Sequence, residues 1–392
     1  MAIDNDLASE SNVNTTDAID CDGHVLEPLE ALHDYLEDKY KKRAIKIQVG
    51  NDGLEYLSYD NQLSKLTAGG FLGVLGGMGD PDIVPSPDRT YAIGCPLASY
   101  DGLARVSRLN EEKLGKAILY PTIGLLWEAE IEDPELATAY ARSYNRWIVD
   151  MCKDGPGRLY PIAHISLADV ALATSELERA VKDGCIGAMV LPFTMTGKAH
   201  GHPYYDPFWR KAEDLGVPIG LHPSFEPTKF SVHQRFEELK QPEPIDFSFY
   251  FDVCVNQSLI QSFVALFNYG TFERFPKIKV VVLESQAGWI GNLLDRMDAV
   301  WSGPLKATTA LKEKPSFYFA RNCWISSDPD ERALAHIVEH VGADKFFWAS
   351  DYPHPDHTDD YIDALKGLLA PLCKETQRKI MYENVAKVYD LS

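Results

Sequence analysis

The chain has 392 residues, of which 45% are hydrophobic and 24% charged, and it carries a formal net charge of −20. This is the composition of a soluble globular protein with room for a large core, and the acidic balance argues against nucleic acid or an anionic membrane as a partner. The seven cysteines form no CxxC pair, so reduced thiols of a cytoplasmic protein are expected, with neither a disulfide framework nor a thiolate zinc site.

Residues 1–16 are rich in Asn, Asp, Ser and Thr and lack a signal-peptide core. They read as a flexible N-terminal arm. Residues 17–392 read as a single domain without a membrane span. An apolar approach, Ala18-Ile19, leads into Asp20-Cys21-Asp22-Gly23-His24-Val25-Leu26-Glu27-Pro28. On a strand, Asp22 and His24 point to one face, and Gly23 permits an unusual backbone turn. A helical pattern follows over 29–40. Alternating residues over 44–59 around Asn51-Asp52-Gly53 mark a hairpin. The stretch 67–96 is dense in Gly and Pro and reads as a long surface excursion.

From Gly115 onward short apolar runs alternate with amphipathic ones. Strands are expected at 117–120, 160–165, 187–191, 217–221, 279–283, 323–325 and 346–349. Helices are expected at 134–153, 168–182, 206–215, 259–272, 288–301, 331–341 and 359–369, with Asp206-Pro207 as N-cap and first residue of the third. With the run at Ile19 that makes eight strand–helix units. Their parallel, right-handed alternation fits a closed (β/α)8 TIM barrel, with insertions at about 44–105 and 224–256 over its C-terminal face.

A barrel of this kind places its chemistry just beyond strand C-termini. Four strand ends here carry metal-binding types: Asp22 and His24 with Glu27 close behind, then His222, then Glu284, then Asp351 followed by His354 and His357. Oxygen and nitrogen donors without thiolate suit Zn, Mn or Fe, as one ion or two. Glu27 reads equally as a helix-start residue before Pro28. His164, ending the third strand, is a candidate catalytic group or a core histidine.

These residues carry a family resemblance. The chain resembles the amidohydrolase-related family, the branch of the amidohydrolase superfamily that contains aminocarboxymuconate-semialdehyde and γ-resorcylate decarboxylases. The resemblance runs from about 17 to 390, through Asp20–Pro28, HPYYDPFWRKAEDLGVPIGLHP from His202, LESQAGWIGNLLDRMD, FFWASDYPH and MYENVAKVYDL. It implies that Asp22, His24, His222 and Asp351 bind the metal, with Asp351 also steering a bound water. Two positions depart from the pattern. Asp22 stands where relatives often have His or Glu. Glu284 stands where decarboxylating members carry a catalytic histidine, so the histidine proton donor of that mechanism is absent. In its place Glu284 is expected to be a base or a ligand to a second ion.

Three functions follow as expectations. The first is a metal-dependent hydrolase or carboxy-lyase acting on a small carboxylated or aromatic compound through a metal-activated water. The second is a dinuclear non-haem iron or Mn/Fe monooxygenase, which Glu27, Glu284, His354 and His357 would serve. The third is an inactive partner subunit, disfavoured by the full ligand set. The aromatic run Phe225, Phe230, His233, Phe236, Phe247, Phe249, Tyr250 and Phe251 is expected to form a lid or substrate wall, or to pack on a second subunit. With the apolar Gly-rich stretch 68–78 and the acidic surface, it points to a homodimer.

Overall fold

Apolar runs such as Val280-Val281-Val282 suit strands buried on both faces, and eight short strands build the centre of the molecule. The structure, a computed structural model, describes residues 13–237, 249–329 and 331–391. The strands are β1 (Ile19–Val25), β2 (Lys116–Pro121), β3 (Leu159–His164), β4 (Gly187–Val190), β5 (Pro218–Leu221), β6 (Lys279–Val282), β7 (Cys323–Ser327) and β8 (Phe346–Trp348). They pair in sequence order, each parallel to the next.

The ring is a (β/α)8 barrel, and β1 meets the chain beyond β8 through individual bonds. Asp351 N–H donates to the Asp22 carbonyl at 3.0 Å and His24 N–H to the Tyr352 carbonyl at 2.7 Å. Both bonds involve residues of the predicted metal site. Closing the barrel therefore also fixes where that site lies.

The helices between strands begin and end as the sequence asks. Asp133 caps Pro134–Cys152 by accepting from Glu135 and Leu136 N–H, and Asp169 caps Val170–Asp183 in the same way. Gly216, at φ 70°, stops Asp206–Leu215. Here the expectation needs correcting, because Asp206 is the first helical residue and Tyr205 the cap. The Asp206 carboxylate instead pairs with Arg274, 2.9 Å away. The first helix is also shorter than predicted, Leu29–Tyr35, because Leu36 turns to an extended conformation.

The first insertion supplies a three-stranded antiparallel sheet of Lys46–Val49, Glu55–Tyr59 and Gln62–Leu63. It reaches the loops beyond the strands, where Met78 N–H bonds the Pro353 carbonyl and Leu26 N–H the Ser99 carbonyl. Phe71, Leu72, Val74 and Leu75 are buried within the chain's own core. The stretch 68–78 therefore runs inside and offers no apolar face to a partner.

Phe225 packs edge-on against Phe71, with ring centroids 5.7 Å apart, while Phe230 and Phe236 are exposed. Phe247 and the side chains of His233, Phe249 and Phe251 lie outside the described residues. Of the predicted arm, 1–12 lie outside them too, and Val13 and Thr15 are buried. Among the described residues no helix is long and apolar enough to cross a membrane.

Candidate metal centre

The strand alternation that predicted a shared face for Asp22 and His24 holds, although the pairing of β1 on β2 slips between Asp20 and Gly23. This bulge re-aims the chain at the mouth. Gly23 does not adopt a left-handed conformation. What it supplies is space, since a Cβ there would lie 2.4 Å from Arg105 Nη2 and 2.6 Å from Asp20 Oδ2.

Five side chains from four strand ends converge. His24 Nε2 lies 3.5 Å from Asp22 Oδ1, 3.5 Å from Asp351 Oδ1, 3.6 Å from Glu284 Oε2 and 3.1 Å from His222 Nε2. His222 Nε2 lies 3.1 Å from Glu284 Oε2 and 3.6 Å from Asp22 Oδ1. Each imidazole is oriented from behind, His24 Nδ1 against the Pro121 carbonyl at 3.0 Å and His222 Nδ1 against the Pro223 carbonyl at 2.8 Å. A carbonyl accepts only from N–H, so both Nδ1 atoms carry hydrogen and both Nε2 atoms are free to coordinate.

This donor set fits a divalent cation. Both oxygens of Asp22, Oε2 of Glu284 and Oδ2 of Asp351 are buried without a hydrogen-bond partner, a costly arrangement unless an ion completes it. Metal–ligand bonds of about 2.1 Å set neighbouring donors about 3.0–3.4 Å apart, close to the observed spacing. The crowding also shows in the acidities. Burial and then the Glu284, Asp356 and Asp22 charges push Asp351 well above the usual carboxylate range. Burial would raise Asp22 as well, but His222 and then His24 outweigh it and hold it at about 2.

Two of these carboxylates sit on strained backbone. Glu284 and Asp351 have φ of 40° and 56°, in the left-handed region that costs a non-glycine residue free energy. The Glu284 turn is held from β7, with Glu284 N–H on Ser326 Oγ (3.2 Å) and Gln286 N–H on Asp328 Oδ2 (3.1 Å). Ala287 N–H donates to Glu331 Oε2 at 2.7 Å. Asp328 just past β7 escaped the sequence reading, although its place beyond a strand end was the signal that would have found it. Burial raises its carboxyl to about 8.

Two predicted site residues, Glu27 and His164, lie outside the clustered groups. The Glu27 carboxylate lies outside the cluster and accepts the N–H groups of Ile123 (2.9 Å), Thr122 (3.2 Å) and Gly124 (3.4 Å), tying the end of β1 to the loop after β2. Burial, offset by these bonds, raises it to about 7. Both its oxygens accept, so Glu27→Gln would turn an NH2 toward a backbone N–H. A loss of about 1–3 kcal/mol in denaturant unfolding is expected, with metal content unchanged; a loss of metal would restore Glu27 as a ligand.

His164 is buried away from the cluster, with Nε2 2.7 Å from Glu128 Oε2 and its ring 5.0 Å from that of Trp127. It is a core histidine. His354 stands behind Asp351. Its Nδ1 is 2.8 Å from Asp351 Oδ1, its Nε2 2.9 Å from Thr122 Oγ1, and its ring lies 4.2 Å from that of His24, tilted by 39°. Both its nitrogens are engaged in hydrogen bonds, and it also stands with His24, Glu284 and Asp351 in a group spaced to hold an ion. His357 Nε2 stands 3.9 Å from Asp351 Oδ2 and 4.0 Å from Asp356 Oδ2, on the outer side of that carboxylate.

Comparison with known proteins follows the same lines. A family model described as Amidohydrolase matches residues 123–391. A γ-resorcylate decarboxylase of Rhizobium sp. (strain MTP-10005) is 28% identical over 247 residues, 60% of this chain and 72% of its own. Among solved structures, an amidohydrolase of Mycobacterium avium subsp. paratuberculosis K-10 shares 21% identity with a TM-score of 0.78, over 95% of this chain and 97% of that one. A dihydroxybenzoic acid decarboxylase of Polaromonas sp. JS666, with bound manganese and the inhibitor 2-nitroresorcinol, shares 20% identity with a TM-score of 0.65, over 96% and 97%. At these identities the structural likeness establishes the fold.

Proposed function

The chain belongs to the amidohydrolase family, and on that premise we propose that it releases the carboxylate of a small aromatic acid as carbon dioxide with the help of one divalent metal ion. The observation that carries this reading is the pair of coordination-sized groups that share His24 and Glu284 at the barrel mouth, one with Asp22 and His222 and the other with Asp351 and His354. The decarboxylase relative supplies the substrate class, and manganese in the Polaromonas enzyme makes manganese the first ion to try.

In this reading Asp22, His24, His222 and Asp351 hold the ion, which when bound supplies positive charge to gather and polarise an anionic substrate. The reaction exchanges a carboxylate for a proton on the ring carbon, so the chain must deliver that proton as carbon dioxide leaves. Glu284, whose side chain is 20% exposed while those of the ligands are buried, faces the open side of the cluster and takes that role in place of the histidine of related decarboxylases. His354 holds Asp351 in its orientation through the 2.8 Å bond. Asp328 and Ser326 keep the Glu284 turn from relaxing.

A hydrolytic reading draws on the same residues, with Glu284 as general base toward a water molecule. The monooxygenase reading gains no support from the relatives. One assay separates all three. Protein stripped with a chelator and reloaded with Mn²⁺ is offered γ-resorcylate and related hydroxybenzoates, following carbon dioxide and dissolved oxygen. We expect carbon dioxide equal to the acid consumed, no oxygen uptake, and full loss of activity on stripping. Oxygen uptake would sink this proposal in favour of oxygenation, and turnover of esters or amides without carbon dioxide in favour of hydrolysis.

A further inference from the structure

Behind the metal centre lies a buried charge pair that neither the family's ligand set nor the proposed chemistry uses. Arg105 comes from the helix Gly102–Glu112, outside the barrel strands, yet it is 1% exposed. Its Nη1 donates to the His24 carbonyl at 2.9 Å, and its Nη2 lies 3.8 Å from Asp20 Oδ2. The guanidinium also packs on the Tyr352 ring, 4.7 Å from its centroid. Asp20 turns to the other strand. Its Oδ1 accepts Ser350 N–H at 2.9 Å and its Oδ2 accepts Ser350 Oγ–H at 2.6 Å. Ser350 immediately precedes the ligand Asp351, and Asp20 stands two residues before Asp22.

We infer that Asp20 and Arg105 form a brace that sets the spacing between the ligands on β1 and the ligand beyond β8. In the described residues β1 and β8 share no ladder pairing comparable to the other seven junctions, so their relative position depends on single bonds. The brace holds one residue on each side of that seam, the carbonyl of His24 and both polar hydrogens of Ser350. It closes over Gly23, where no side chain fits. Backing groups of this type tune metal affinity by roughly 10–100-fold. Arg105 and Asp20 are positioning residues, since neither touches the ligand atoms.

The inference rests on the metal reading, and its test separates the two. Metal affinity of chelator-stripped full-length protein is measured by competition with a chromogenic chelator, alongside the Tm of the metal-free protein. Wild-type protein that binds no divalent ion would remove the metal centre itself. If wild type binds, Arg105→Met is expected to lower both affinity and Tm, because it strands the Asp20 charge. The double variant Arg105→Met/Asp20→Asn removes that stranded charge. We expect its metal-free Tm to recover toward wild type while affinity stays at least about tenfold weaker. Affinity that recovers together with Tm would make the pair merely structural and overturn the inference. Ser350→Ala deletes one hydroxyl and leaves both charges paired, so it folds even if the others do not. Weaker metal binding at unchanged Tm is the expected result, and unchanged affinity would count equally against the brace.

Discussion

His222→Ala is expected to remove metal binding and activity together while leaving the barrel folded. His222 Nε2 faces Asp22 and Glu284 at 3.6 and 3.1 Å and is the sole contribution of β5 to the cluster. Without it the ion loses one of its two imidazole donors and the only ligand from β5 among the described residues, so fewer bonds hold it. The fold should survive because the strands around the site, such as Pro218–Leu221 and Lys279–Val282, bury apolar side chains independent of the ion. Elemental analysis should find wild type with about one equivalent of ion and the variant with almost none. Turnover should drop by at least about a thousandfold, and the far-UV circular dichroism should match wild type. A variant that keeps its metal would show that Asp22, His24 and Asp351 suffice and that the centre has been drawn too wide.

Glu284→Gln separates binding from proton delivery. The amide keeps the shape and the hydrogen-bonding reach but cannot give up a proton in the same way. If Glu284 carries the proton to the ring carbon, kcat should fall by about 10²–10⁴, while metal content and KM change little. The present geometry allows a clear alternative, because Oε2 is as close to His222 as one ligand of an ion is to the next. If metal affinity falls as steeply as kcat, Glu284 is a fifth ligand and the proton must come from elsewhere. Equal activity of variant and wild type would remove Glu284 from the mechanism altogether. Its position on a left-handed turn held by Ser326 and Asp328 makes that last outcome hard to reconcile with the strain it tolerates.

Where the sequence misled, it did so for identifiable physical reasons. Glu27 was read as a ligand or equally as a helix-start residue, because a carboxylate three residues after His24 and next to Pro28 suits either. Only the fold reveals that the N–H groups of Thr122 to Gly124, about a hundred residues away in sequence, claim it first. His164 ends a strand as the ligands do, but Glu128 and Trp127 close around it. In each case the residue type was right and the competition for its polar atoms was invisible.

What the sequence by itself determined is the barrel and the list of groups at its mouth. Local periodicity dictates strand and helix, parallel right-handed connection turns eight such units into a ring, and a ring puts every strand end at one rim. Asp22, His24, His222, Glu284 and Asp351 could therefore be collected from positions up to the far end of the chain without knowing any distance. The tertiary structure alone decided how those groups divide their labour. Donor spacing, the orphaned oxygens of Asp22 and the Arg105–Asp20 brace depend on contacts between segments that share no sequence signal. A side chain's role is set by which partner reaches its polar atoms first, and that is a property of packing in three dimensions.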